Sequence, residues 1–156
     1  MSQRYSPLTR APGVRWLEAS VNLTNAELLT LFSVGKQIIP APGANLMIAP
    51  LFATIALDNA AGVYIGGGSA RLLLSTSGVT GLILNTSVWA TTFFTADASA
   101  QKAATDVLRV SASNLNSTYS NKPVLLTAAT ADFTGGNAAN KATVKVVYRI
   151  ISTLPA

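Results

Sequence analysis

The sequence predicts an all-β fold: an antiparallel, jelly-roll-like β-sandwich with an extended N-terminal arm and one short helix. From Lys36 onward, short apolar runs are separated by Gly, Pro, Asn and Ser, and turn signals about 8–12 residues apart are typical of antiparallel sandwiches and barrels. Apolar and polar residues alternate near the end of the chain, which indicates a strand with one buried face. The length of 156 residues fits a single domain.

Residues 1–20 are predicted to form the arm and residues 21–156 the sandwich. The arm contains Pro7, Pro12 and Gly13 and shows little hydrophobic periodicity. Because proline and glycine interrupt regular structure, we expect a segment that becomes ordered when it docks on a partner.

The arm also carries much of the net positive charge. The net charge is +5, from 11 basic and 6 acidic side chains, and Arg4, Arg10 and Arg15 all precede the first acidic residue. Cationic arms are attracted to acidic protein surfaces, so we expect these arginines to form an interface, with Trp16 and Leu17 as apolar anchors. Nucleic acid is not the favoured partner, because domains that bind it show a wider basic stripe with interleaved aromatic residues.

One short helix is predicted near residues 25–33. Thr24 and Glu27 have the spacing of a capping box, in which hydroxyl and carboxylate satisfy free backbone N–H groups at the helix start. Gly35 is placed to end the segment in the left-handed conformation.

The remaining chain is predicted to be strands joined by turns. Asp58–Gly62 and Thr134–Asn137 have the composition of tight turns, and residues 98–104 can form either a helical turn or a loop. Strands are predicted near residues 36–40, 44–57 with an interruption at Pro50, 62–66, 70–76, 79–84, 87–95, 106–112, 122–127 and 142–152. In the last strand, one face is predicted to hold Ala142, Val144, Val146, Tyr148 and Ile150, and the other Thr143, Lys145, Val147, Arg149 and Ile151.

The composition excludes several kinds of chemistry. There is no cysteine and no histidine, which rules out disulfides, thiolate nucleophiles and the usual general base and metal ligand. We expect no enzymatic activity, no metal and no cofactor. The start of the sequence lacks a signal-peptide pattern, and the uncharged stretch at residues 37–57 contains three prolines, so buried strands explain it better than a membrane span.

Charged residues make up only 11% of the chain, whereas 49% is hydrophobic and the mean hydropathy is +0.40. A monomer generally keeps exposed apolar patches small. Because this chain has so few charged residues, we expect other subunits to cover part of its surface, which makes it a component of an assembly.

Five segments, in their order and spacing, resemble the capsid decoration, or cement, proteins of tailed bacteriophages. They span residues 39–150 and none is a catalytic signature; they are Ile39–Ala44, Asp58 with Tyr64–Gly68, Asn121–Thr127, Asp132–Asn137 and Val144–Ile150. The resemblance implies a β-sandwich that oligomerises on the outside of a phage head and clamps neighbouring major capsid subunits. It implies the major capsid protein and further copies of the chain as partners, with a trimer favoured and a dimer as the alternative.

A second hypothesis is a tail-fibre or receptor-binding head domain that holds a host glycan. It would use exposed aromatic side chains and the loop Gly66, Gly67, Gly68 and Ser69. That loop lacks the Lys-Ser/Thr ending of a phosphate-binding loop and is predicted to be a flexible, exposed hairpin tip. A small lectin or a self-assembling coat subunit is a third reading that the sequence leaves open.

Overall fold

The computed structural model describes residues 15–59, 62–76, 81–84, 89, 93–94, 101–107 and 117–153. A short 3₁₀ turn covers Ser117–Tyr119, and within the described ranges no helix is long and apolar enough to span a membrane. In chain order the elements are β1 (Leu17–Thr24), α1 (Asn25–Leu29), β2 (Lys36–Ile39), β3 (Leu46–Asp58), β4 (Tyr64–Gly66), β5 (Ala70–Leu74), β6 (Leu82–Ile83), β7 (Gln101–Val107), β8 (Val124–Ala128), β9 (Phe133–Gly135) and β10 (Lys141–Ser152).

The strands of the described ranges form two four-stranded antiparallel sheets and one small pair. The first sheet has the order β1-β10-β3-β7, the second has the order β2-β8-β5-β6, and β4 pairs with β9. Apart from β4 and β9, successive strands mostly cross between the two sheets, and first and last strands are neighbours, which is a jelly-roll-like strand order. The predicted fold class, an antiparallel β-sandwich, is confirmed.

The core lies between the inner faces of the two sheets. In the first sheet, Val144 is opposite both Val21 and Ile55. In the second sheet, Leu72 is opposite Leu126. Val144, Ile55, Leu72 and Leu126 are all fully buried and belong to one apolar cluster, so each sheet hides one face against the other.

Strand β1 carries the sandwich into the range predicted as arm. It begins at Leu17, which is opposite Tyr148 of β10. The reason is the alternation of apolar and polar residues from Leu17 to Thr24, which buries Leu23 and turns Glu18 outward. Residues 1–14 lie outside the described part of the chain, so the arm itself stays a prediction there.

The capping box at the start of α1 is confirmed, but the helix is shorter than predicted. The Thr24 hydroxyl accepts from the Glu27 backbone N–H, and the Glu27 carboxylate accepts from the Thr24 N–H. The helix ends at Leu29, because the N–H groups of Phe32 and Ser33 donate to the Asp132 carboxylate at 2.8 and 2.9 Å rather than to carbonyls of the preceding turn. Gly35 has the predicted left-handed conformation, with φ +70°.

The interruption predicted at Pro50 is wrong, because β3 runs without a break from Leu46 to Asp58. A β-bulge accommodates the proline instead. Phe52 is opposite Val147 and Pro50 is opposite Tyr148, which leaves Leu51 as the extra residue of β3. Proline within sheets is tolerated at such positions.

Two other predictions are corrected by pairing between distant segments, and a third is matched by the structure only in part. Residues 101–104, predicted as a helical turn or loop, belong to β7, which pairs with β3. Thr134 and Gly135, predicted as a turn, pair with β4. Of the strand predicted over 87–95, Trp89 makes an isolated bridge to Ala70 and residues 93–94 are helical; its other residues, like 108–112, lie outside the described ranges.

Candidate interaction surface

The outer face of the first sheet carries three of the large apolar side chains that are exposed in the described residues, Trp16, Leu51 and Phe52. Outward positions of β1, β10 and β3 line up across the sheet because the strands are in register. The row nearest the bulge contains Glu18, Val147 and Phe52, and the next contains Ser20, Lys145 and Thr54.

Four apolar side chains form what we call the apolar strip: Trp16, Leu51, Phe52 and Val147. Trp16 is 47% exposed, Leu51 43% and Phe52 38%, while Val147 is half-buried. The bulge explains the pair on β3, since an extra residue breaks the alternation and leaves two consecutive side chains exposed to solvent. A cluster of large exposed apolar residues at one place marks an interaction surface.

Arg149 holds Trp16 against the sheet. Its guanidinium carbon lies 5.7 Å from the centroid of the indole ring, the distance of a cation–π contact. Because Arg149 is on the long central strand β10 and Trp16 precedes β1, the contact fixes an exposed tryptophan at one end of the face. Trp16 is thus positioned but uncovered within the described part of the chain.

The other end of the face is polar. The Thr143 hydroxyl donates to the Asn22 side-chain oxygen at 3.0 Å, and Lys141 and Lys145 are exposed on the same side of β10. The face is therefore apolar near the bulge of β3, and toward Lys141 it carries hydroxyl groups and positive charge. Such a surface can bind another protein through apolar contact with a polar margin.

The predicted interface residues are only partly brought together. Arg15 and Trp16 are exposed where the described chain begins, and Leu17 is half-buried as the first residue of β1. Arg4 and Arg10 lie outside the described residues. The role of all five as partner contacts stays a prediction.

The glycine loop is not the exposed hairpin tip that the sequence predicts. Gly66 is exposed, Gly67 is buried, and Gly68 and Ser69 are half-buried. The strands on either side are not a hairpin, because β4 pairs with β9 and β5 with β6 and β8. The Ser69 carbonyl accepts from the Ala129 N–H at 2.8 Å, so the loop is packed against the segment that links β8 to β9.

Local chemistry does not indicate a catalytic site in the described residues. Ser33 and Lys36 have the Ser-x-x-Lys spacing of some hydrolases, but the Lys36 ammonium is paired with the Glu27 carboxylate and Ser33 is hydrogen-bonded to Asp132. The same spacing occurs at Ser99 and Lys102, whose side chains lie outside the described part of the chain. No group of three acidic side chains in the described ranges is arranged to hold a metal.

Among the described residues, four titratable groups have a shifted pKa, each for a structural reason. The Lys36 hydrogen bond, followed by the Thr24 backbone, lowers the pKa of Glu27, and hydrogen bonds from Ser33 and Phe32 lower the pKa of Asp132. Burial raises the pKa of both Tyr64 and Tyr148. The two carboxyl shifts therefore follow from local hydrogen bonds and the two tyrosine shifts from burial.

Sequence reasoning missed Leu51, Phe52 and Val147 as surface residues. The alternation separates Val147 from Val144 and Val146 without indicating which face is buried, and exposure of the two β3 residues depends on the bulge. The only local signal is Pro50, which disfavours an unbroken ladder but does not say on which side the next residues emerge.

Comparison with known proteins leaves the family open. No protein-family model matches the sequence, and no curated protein matches it. Among solved structures, the chain is similar to one in the "Cyanophage Pam1 capsid asymmetric unit", with 17% identity, a TM-score of 0.46, and coverage of 94% of this chain and 93% of that one. It is also similar to one in the "Capsid of Ralstonia phage GP4", with 15% identity, a TM-score of 0.40, and coverage of 94% and 90%. At these identities and TM-scores, neither similarity identifies the function.

Proposed function

We propose that this chain is a structural virion protein that decorates a phage capsid on its outer surface and stabilises it by bridging major capsid subunits. The observation that carries the proposal is the apolar strip, because Trp16, Leu51 and Phe52 are exposed and the strand register and the Arg149 contact place them on one face of the first sheet, where another protein can cover them. The low charge content and the resemblance of the sequence to decoration proteins support the same function.

A rigid β-sandwich suits a bridging role. The interaction face is built on long paired strands, β10 and β3, so its side chains are held in place before binding and lose little conformational freedom. An arm reaching from the start of β1 adds contact with a second subunit. Because one oligomer then binds at several points, each contact acts at a high effective concentration.

Stabilisation follows from preferential binding to the assembled shell. A protein that binds assembled capsid more tightly than loose subunits shifts the equilibrium toward the shell by mass action. We propose a homo-oligomer, with a trimer favoured over a dimer. Sedimentation equilibrium of the purified chain measures this number.

The test is co-sedimentation with capsids. Heads of the phage that encodes the chain, prepared without it, are mixed with purified protein in parallel with unassembled major capsid subunits. We expect binding to the heads, weaker binding to loose subunits, and greater resistance of the decorated heads to heat. Absence of binding to heads over a range of salt and protein concentrations would overturn the proposal.

The apolar strip provides the matched variants. Trp16→Ala should weaken head binding by about tenfold or more, as for a buried aromatic anchor, while circular dichroism and thermal unfolding stay close to those of the parent. Val34→Ala is the control, because Val34 is 69% exposed and lies outside the strip. Equal binding by the two variants would contradict the role of the strip.

Glycan binding, the alternative function, has less support than capsid decoration. Gly67 of the glycine loop is buried, and the nearby aromatic rings of Tyr64 and Phe133 are also buried, so the loop offers no exposed platform for a sugar ring. Binding of the purified chain to host-surface glycans, with no binding to heads, would favour the receptor-binding alternative.

A further inference from the structure

The charged side chains of β10 form a line along the outer face of the first sheet. Lys141, Lys145 and Arg149 are all exposed and occur at every fourth position. Residues four apart on a strand share a face and are about 13 Å apart. We call these three residues the cation line; it runs from the polar end of the face to the end that holds the apolar strip.

Lys145 is the member of the line with the clearest binding environment. Its register neighbours are Ser20 on β1 and Thr54 on β3, so a hydroxyl-bearing residue flanks it on each side. Within the described part of the chain, the Lys145 side chain makes no ion pair or hydrogen bond. An ammonium between hydroxyl groups is a set of donors that suits a carboxylate.

The two ends of the line differ. Asp58 is opposite Lys141 in the register and offsets its charge. At the other end, Arg149 contacts Trp16 and lies beside the apolar strip. The row next to Lys145 contains Val147 and Phe52, together with Glu18 on β1, and Ser20 and Thr54 flank Lys145 in its own row.

We infer that this face is the surface that docks on an acidic, partly apolar segment of a partner protein, with a partner carboxylate at Lys145 and partner apolar side chains on the strip. If the proposed function holds, on which the identity of the partner rests, that segment belongs to the major capsid protein, and the first sheet faces the capsid. Double-stranded nucleic acid fits less well, because Glu18 and the exposed apolar residues interrupt the positive charge.

The first test reverses the charge. Lys145→Glu places a carboxylate where one is expected to bind, and Lys122→Glu makes the same charge change on the segment between the 3₁₀ turn and β8. We expect Lys145→Glu to weaken binding to heads by about tenfold at low salt, and Lys122→Glu by less than about twofold. The difference should shrink as salt is added, since screening acts on charge pairs.

The second test locates the face directly, and it uses the absence of cysteine from the sequence. Thr143→Cys, beside Lys145 on the outer side of β10, and Gln37→Cys, exposed on β2 of the other sheet, are each labelled with a thiol-reactive photocrosslinker and bound to heads. We expect a crosslink to the major capsid protein from position 143 and none from position 37.

The possible results distinguish failure of this inference from failure of the proposed function. If the parent chain fails to bind heads, the proposed function is wrong. If it binds, but Lys145→Glu binds like Lys122→Glu and position 37 crosslinks in place of 143, the chain decorates the capsid through another surface and the inference is wrong. Salt-sensitive binding of the parent to a 20-base-pair DNA duplex, lost in Lys145→Glu, would assign the face to nucleic acid and overturn the inference as well.

Discussion

Gly67 lies directly against the ring of Phe133. A Cβ atom added at Gly67 would collide with three ring carbons of Phe133, and the backbone at Gly67 has a φ of +72°. The ring itself is buried against Tyr64 and Phe94, with ring centroids 5.9 and 4.8 Å away. Gly67 is thus required by close packing as well as by backbone conformation.

Gly67→Ala is therefore expected to destabilise the protein strongly. The added methyl group must displace a packed aromatic ring, which typically costs about 1–3 kcal/mol, and the left-handed backbone adds about 1 kcal/mol. Urea unfolding measures the loss. Gly66→Ala is the matched control, because Gly66 has nearly the same φ, +73°, but its added Cβ would meet only the Asp132 carbonyl oxygen at 3.8 Å. Equal losses in both variants would mean that the ring contact contributes nothing.

Asp132 should make stability depend on pH in the acid range. Its pKa is lowered from the ordinary value of 3.8 by hydrogen bonds from Ser33 and Phe32, so the unfolded chain binds a proton more readily than the folded one. Stability from this group is fully present above pH 3.8 and is lost as the pH falls through the lower folded pKa.

Urea unfolding of Asp132→Asn and Asp132→Ala between about pH 2 and pH 7 tests whether the Asp132 carboxylate causes this pH dependence. We expect the free energy of unfolding at neutral pH to fall by about 1 kcal/mol for Asp132→Asn and by about 2 kcal/mol for Asp132→Ala. These values are modest because hydrogen bonds to a partly exposed charged group are weaker than buried ones. Both differences from the parent should narrow at low pH. Asp58→Asn is the control, because Asp58 is exposed and its carboxylate makes no hydrogen bond to the described residues. Differences that stay constant with pH would contradict the role of the charge.

The capping box at α1 should show energetic coupling between Thr24 and Glu27. Thr24→Ala is expected to lower the free energy of unfolding by about 1 kcal/mol, and Glu27→Ala by a similar amount, because it removes both the acceptor of the Thr24 N–H and the ion pair with Lys36. The double variant should lose less than the sum, since each side chain bonds the other's backbone. Strictly additive losses in thermal unfolding would show that the two act independently.

The arginines before β1 should make head binding sensitive to salt. A chain starting at Arg15 lacks Arg4 and Arg10, and we expect its affinity for heads to fall less steeply with ionic strength than that of the full chain. Trp16 and the apolar strip are retained, so some binding should persist. Identical salt dependence of the two chains would show that the arm does not contribute to the interface.

By itself the sequence determined the features that depend on near neighbours. The alternation from Ala142 to Tyr148 specifies a strand with one buried face, because successive side chains of a strand point to opposite sides. The Thr24–Glu27 spacing specifies the helix start, because both partners of the capping box lie within one turn. An antiparallel sandwich is expected from many such short strands joined by turns, but its strand order depends on pairing between distant strands such as β1 and β10.

Only the tertiary structure decided the features that join distant segments. The helix stops at Leu29 because Asp132, about a hundred residues later, takes the N–H groups of Phe32 and Ser33. Gly67 is buried because Phe133 packs on it, and Leu51 emerges beside Phe52 because β10 pairs across the bulge. Local sequence cannot encode these outcomes, since each hydrogen bond or contact needs a partner that is brought near only when the two sheets close on each other.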